Sequence, residues 1–289
     1  MNFIQRLIPA RWRRGVAVVP VVRLAGAIGA VTPLRPGLSL AGVAKLLDRA
    51  FGMRNAKAIA VVINSPGGSP VQSRLIFQRI RDLAVEKNKP VLVFVEDVAA
   101  SGGYMIALAG DEIFADPTSI VGSIGVVSGG FGFPEMLKKI GVERRVYTAG
   151  SNKAILDPFQ PERESDVEYL KSLQVEIHQV FIDMVKARRG TRLADDPDLF
   201  SGLFWTGGRG RALGLVDGLS DMRSELKRRY GPKTRLELVS TPKGLFGRKT
   251  PGVGGLSLDM ADRIGSAGVS AVAELAEEKA LWGRFGLSG

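Results

Sequence analysis

The sequence predicts an α/β domain built on a parallel sheet. Residues 58–63 (Ala-Ile-Ala-Val-Val-Ile) and 90–95 (Pro-Val-Leu-Val-Phe-Val) are unbroken apolar runs of strand length, the pattern of strands buried on both faces. Each run gives way to a turn containing glycine and then to a helical pattern. The alternation of strand and helix continues across residues 57–147, which is the order of an α/β fold.

Taken in order, residues 16–24 are rich in valine and read as a first strand. Leu40, Val43, Leu46, Leu47 and Phe51 recur at helical spacing over 39–51. The run 58–63 ends in the turn Asn64-Ser65-Pro66-Gly67-Gly68, and Val71, Leu75, Ile76, Ile80 and Leu83 mark the helix after it. The run 90–95 ends near Asp97, and Ser101 opens a short apolar helix that reaches Ala109. Residues 112–115, 124–127 and 144–147 read as further strands. Residues 165–189 read as a long helix with Leu170, Leu173, Ile177, Phe181 and Met184 facing the core. Residues 240–268, rich in Gly, Pro and Ser, read as a linker. An amphipathic helix over 270–285 carries Val272, Leu275, Leu281, Trp282 and Phe285. The resulting division is a basic N-terminal segment over 1–15, a main domain over 16–230, and a linker with C-terminal helix over 231–289.

Composition removes several chemistries. The 289 residues contain no cysteine, which excludes disulfides and thiolate catalysis. His178 is the sole histidine, so a His-rich metal site cannot be built and a Ser-His-Asp triad would depend on that residue. The net charge of +11 suggests anionic partners. Nucleic acid is not expected, because no basic motif interleaved with aromatics is present. Arg6, Arg11, Arg13 and Arg14 alternate with Phe3, Ile4, Leu7, Ile8 and Trp12, which suits peripheral contact with an anionic membrane as well as it suits a solvated basic tail. The apolar stretch at 15–23 is interrupted by Pro20 and Arg23, too short to span a bilayer and without a small-residue cleavage site.

Ser101 is the foremost candidate for chemistry. It stands where a buried strand passes into a helix, flanked by Ala100 and Gly102, so its hydroxyl meets the positive end of the helix. An ordinary N-cap serine would have the same local sequence. The loop 64–68 frees backbone N–H groups that can hold an oxyanion if its strand lies beside that of Ser101. A serine nucleophile needs a base. His178 sits mid-helix beside the apolar stripe and reads as a packing or surface residue. A lysine can serve if its ordinary pKa of about 10.4 falls towards neutrality, which burial among apolar groups achieves. Lys153, in Ser151-Asn152-Lys153-Ala154-Ile155, is flanked by small and apolar residues and suits that part.

The blocks 63–68 (Ile-Asn-Ser-Pro-Gly-Gly), 100–104 (Ala-Ser-Gly-Gly-Tyr), 122–126 (Gly-Ser-Ile-Gly-Val), 151–153 (Ser-Asn-Lys), 205–207 (Trp-Thr-Gly) and 214–217 (Gly-Leu-Val-Asp) occur in an order that resembles the signal peptide peptidase A family. The resemblance spans about residues 16–230. It implies a Clp protease/crotonase-like fold, peptide-bond hydrolysis through a Ser–Lys dyad, and no cofactor. Matched residue by residue, it implies Ser101 as nucleophile, Lys153 as general base, Ser123 as the group orienting the lysine amine, and Gly68 and Gly102 as oxyanion donors. It also implies peptide substrates, such as apolar signal-peptide remnants or membrane-derived fragments, and residues 126–133 are expected to add to such a peptide as a β-edge.

Three features depart from the family pattern. No transmembrane anchor precedes the domain, so the expected location is cytoplasmic with peripheral contact at the inner membrane. One copy of the domain is present where long members carry two, so a homo-oligomeric ring is expected, in which the lysine can come from a neighbouring subunit. Residues 207–209 (Gly-Gly-Arg) are more basic than usual. Two rival readings use the same residues. A crotonase-like acyl-thioester enzyme would keep the oxyanion loop without needing Ser101, and a non-catalytic membrane scaffold would keep only the fold.

Overall fold

The computed structural model describes residues 16–29, 37–240 and 279–287. The basic segment before residue 16, the linker over 241–268 and the first part of the expected C-terminal helix lie outside the described residues. Strands β1 (Val18–Ala25), β2 (Ile59–Ser65) and β3 (Val91–Ala100) pair in parallel at the centre of an eight-stranded sheet. Their residues are almost wholly buried, as the unbroken apolar runs require. Helices α1 (Leu40–Gly52) and α2 (Pro70–Lys87) connect them, with Val43, Leu47, Phe51, Ile76, Ile80 and Leu83 buried in the main core. Ser39 and Ser69 cap the two helices through their hydroxyls, and Pro70 occupies the first turn of α2, where its missing N–H costs nothing.

Strand β3 is longer than the apolar run suggests, and it has two halves. Leu92–Val95 pairs with β4 (Glu112–Ala115), while Val98–Ala100 pairs with β5 (Ile120–Gly122). The switch occurs at Glu96 and Asp97, where the register against β2 slips between Ile63 and Ser65. Asn64 closes the irregularity. Its Nδ2 donates to Asp97 at 2.7 Å, and its Oδ1 accepts from the Val98 amide at 3.3 Å. Past β3 the chain forms α3 (Gly102–Ala107) and, after β5, α4 (Pro134–Lys139) and the long α5 (Glu164–Arg189). Strand β6 (Phe204–Thr206) pairs antiparallel with β5, helix α6 (Gly207–Ala212) and β7 (Gly218–Leu219) follow, and α7 (Met222–Tyr230) leads to the edge strand β8 (Arg235–Leu238) beside β1.

Two expected strands are absent. Residues 124–127 and 144–147 are irregular, and so is the segment 126–133 expected to offer a β-edge. A strand needs a ladder to satisfy its backbone, and neither segment has one among the described residues. The apolar stripe of α5 is also only half used. Phe181 and Val185 are buried, whereas Leu173, Val175, Ile177 and Val180 are exposed, because those positions have no described layer fully covering them.

The C-terminal segment packs on the core, as its amphipathic pattern suggests. Residues 279–283 are helical, and Trp282 and Phe285 bury against Val98, Ala100 and Ile120. The Phe285 ring meets Phe204 edge-on, with centroids 5.0 Å apart. The chain therefore braces from outside the part of β3 that leads into Ser101.

Candidate active site

Ser101 occupies the turn between β3 and α3 with φ of +52°, a region that non-glycine residues seldom adopt. Its amide donates to the Gly122 carbonyl at 2.8 Å, and its carbonyl accepts from Met105. Its hydroxyl makes no capping bond to the helix, which separates it from the ordinary N-cap reading. The Ser101 turn thus combines a strained backbone with a hydroxyl that has no hydrogen-bond partner among the described residues.

The glycine loop lies against it. Gly67 has φ of +110°, and a methyl group there would stand 2.8 Å from the Ser101 Cβ, so residue 67 has no room for a side chain. A methyl on Gly102 would strike the Ser73 hydroxyl and come 3.4 Å from the Gly68 amide nitrogen. The backbones of Gly68 and Gly102 thus face one another beside Ser101. Neither amide donates a hydrogen bond among the described residues. The loop is fixed from below by Ile28, whose amide donates to Gly67 O at 2.8 Å and whose carbonyl accepts from Ser69 N at 2.8 Å. Ser73 donates to the Ser69 carbonyl, and Ser65 Oγ accepts from Gly67 N.

Ser123 is brought to the same place. It follows β5 as Ser101 follows β3, is buried, and shares the φ of +52°. Its amide donates to Leu203 O at 2.8 Å, and its hydroxyl has no hydrogen-bond partner among the described residues. Met105, Val126, Ile177 and Phe181 supply apolar walls to the crevice that Ser101, Gly68 and Gly102 open into.

Lys153 stands apart. It lies in a turn after the irregular segment 142–150, is exposed, does not line that crevice, and makes no described hydrogen bond to Ser101. His178 Nε2 lies 3.0 Å from the Ile124 carbonyl, so it holds the loop after Ser123. That agrees with its reading as a packing residue.

Several supporting residues have tasks that sequence pattern does not assign. Tyr104 is fully buried in α3 and donates to Leu215 O at 2.8 Å, and burial pushes its phenol above the ordinary value. Arg189, also buried, donates to Gly214 O and pairs with Asp217 at 2.8 Å, while Asp217 accepts from Ile113 N. Burial works against the Asp217 carboxylate, but the Arg189 guanidinium and the Ile113 amide outweigh it and hold the group below the usual carboxylate range. The visible signal for this clamp was the block 214–217, whose aspartate has a structural task. Ile28 and Ser73 carried no sequence signal, since their roles arise only when distant segments meet.

The profile described as peptidase family S49 matches residues 84–230. The chain is 63% identical over 289 residues to a Brucella abortus protein named Na(+)/H(+) antiporter NhaA, an alignment covering 99% of this chain and 39% of that protein. This chain therefore spans well under half of that relative. It is 34% identical over 217 residues to a candidate protease of Synechocystis sp., covering 72% of this chain and 76% of that protein. It is 30% identical over 212 residues to the chloroplastic serine protease SPPA of Arabidopsis thaliana, covering 71% of this chain and 31% of that protein. The mostly parallel sheet with flanking helices and the profile together bear out the Clp protease/crotonase-like fold class. With the profile match running from the end of α2 through the Ser101 turn to α7, the chain belongs to peptidase family S49.

Proposed function

We propose that the chain is a serine endopeptidase in which Ser101 is the nucleophile and Lys153 its general base. The observation that carries this reading is the Ser101 turn, where an uncapped hydroxyl at φ +52° stands beside the converging backbones of Gly68 and Gly102. Ser101 Oγ attacks a peptide carbonyl while its proton passes to the Lys153 amine. The Gly68 and Gly102 amides stabilise the oxyanion. Lys153 then protonates the leaving amine, and water hydrolyses the acyl-enzyme. Ser123 orients the lysine amine.

In this reading Lys153 reaches Ser101 across a contact between copies of the chain, as in a homo-oligomeric ring. Support comes from the exposure of Lys153 in one chain and from the apolar residues exposed on either side of it. Val127, Met136, Ile140, Tyr147 and Val175 are each 49% exposed or more, and neighbouring copies would cover them. Substrates are apolar peptides, in keeping with the apolar walls of the crevice. No helix among the described residues is long and apolar enough to cross a membrane. Contact with an anionic membrane surface is assigned to Arg6, Arg11, Arg13 and Arg14.

Hydrolysis of an apolar peptide library by the wild-type chain and by Ser101→Ala tests the proposal. Turnover by the wild type alone supports it, and equal turnover by both overturns it.

A further inference from the structure

The segment 128–134, the turn 154–163 and the start of α5 enclose a second cavity of about 650 Å³. Two aromatic rings form one wall, Phe131 and Phe133, with centroids 6.3 Å apart. The Phe133 amide donates to Pro158 O at 2.7 Å and ties the two sides together. The charged lining is acidic, with Asp157, Glu162 and Asp166 against Arg163 alone. That balance stands out in a chain of net charge +11.

The carboxylates differ in how they are satisfied. Asp166 is buried, and its oxygens accept from Arg163 and from the Leu156 amide. The Asp157 side chain is 7% exposed; its Oδ1 accepts from Arg144, which does not line the cavity, and from the Phe159 amide. Asp157 Oδ2 is buried without a hydrogen-bond partner among the described residues. A buried carboxylate oxygen with no donor is costly, and a cationic donor is the group that relieves it. Glu162 is exposed and makes no described hydrogen bond. Among the described residues no three acidic or histidine groups are placed to hold a metal ion. Aromatic walls and a lone acceptor suit an organic cation.

Two features connect this cavity to the Ser101 crevice. Val126 lines the crevice and Ser128 the cavity, so the chain passes from one to the other within two residues. Helix α5 contributes Ile177 to the crevice and Leu170 to the cavity. At a rise of about 1.5 Å per residue, those positions are roughly 10 Å apart along the axis. An extended peptide covers that span in about three residues.

We propose that this cavity is a specificity subsite for a basic side chain, lysine or arginine, about three residues from the bond cleaved at Ser101. The inference rests on the peptidase reading and adds a charge preference to its apolar substrates. The test uses matched apolar peptides carrying lysine or its uncharged counterpart norleucine at each of the second to fifth positions on either side of the cleaved bond. The wild-type chain is expected to favour lysine by tenfold or more in kcat/KM at one position near the third. Glu162→Gln and Asp157→Asn are each expected to reduce that lysine-to-norleucine ratio severalfold. Binding of the same labelled pairs to Ser101→Ala, read by fluorescence anisotropy, reports the preference without turnover. Cleavage of norleucine peptides with no lysine preference at any position overturns the subsite and leaves the peptidase standing. Lysine-selective binding to Ser101→Ala without any wild-type turnover keeps the cation site and removes the peptidase. Neither turnover nor selective binding removes both.

Discussion

Ser101 and Ser123 leave neighbouring strands one residue beyond the Ala100–Gly122 pair, and both turn with φ of +52°. The bond from Ser101 N to Gly122 O, 2.8 Å long, fixes one turn against the other. Each left-handed turn costs on the order of 1–3 kcal/mol in a non-glycine residue, so the sheet imposes both. The strain places two hydroxyls, neither used in capping, at the same end of the sheet.

Ser123→Ala removes a hydroxyl that satisfies no described partner. Peptide turnover should fall about tenfold or more, while the denaturation midpoint stays close to that of the wild type. Kinetics paired with urea unfolding check the two together.

Gly67→Ala puts a methyl group into the Ser101 side chain at a backbone angle that disfavours alanine. The expected loss of stability is about 1–3 kcal/mol from backbone strain alone. Activity should fall much further than stability, because the displaced group is the nucleophile. Circular dichroism and peptide turnover on the same sample separate the effects.

Asp217 is one of several carboxylates that the fold holds below their ordinary range, with Asp166 and Glu225 among the others. Its carboxyl lies below the usual range when folded, so its contribution is complete above the unfolded pKa of about 3.9 and is lost as pH falls through the folded value. Wild-type stability should therefore drop below about pH 4. Asp217→Asn should be less stable at neutral pH, since it leaves the buried Arg189 without a counter-charge at a cost of about 3–5 kcal/mol. It should also lose that part of the acid dependence. Thermal unfolding across pH 2–7 measures both slopes.

Trp282→Ala opens a cavity over Val98 and Ala100, the approach to the nucleophile. The loss should be about 3 kcal/mol. Trp282→Phe should recover part of it, as read by urea unfolding.

Much of this architecture was legible because it rests on local pattern. The runs at 58–63 and 90–95 have the length and unbroken apolar pattern of buried parallel strands, and Ser101 follows from its place at the end of one. The turn 64–68 announced its glycines, although Gly67 proved as constrained as Gly68. The rest depends on meetings between distant segments. The strand expected over 124–127 fails because Ser123 turns away from the sheet. The bridge of Ile28 to Gly68 joins residues forty apart in sequence. The exposed stretch of α5 reads as a core face in sequence, and no layer among the described residues covers it. The position of Lys153 is the same case, since its neighbours are apolar in sequence and its surroundings open in one chain.

Mixing Ser101→Ala chains with Lys153→Ala chains addresses that point. Each alone should be inactive, and recovery of turnover on mixing would place the dyad across a subunit contact. Inactivity of the mixture, with both variants folded and co-assembled, would require the amine to come from the same chain.

The most direct test of the nucleophile is the site of attachment of a serine-reactive phosphonate, located by peptide mass spectrometry on the assembled wild-type protein. The account predicts a single adduct on Ser101 that disappears in Ser101→Ala and is strongly reduced in Lys153→Ala. Labelling at another residue, or an assembled, folded protein that takes up no label, would contradict it.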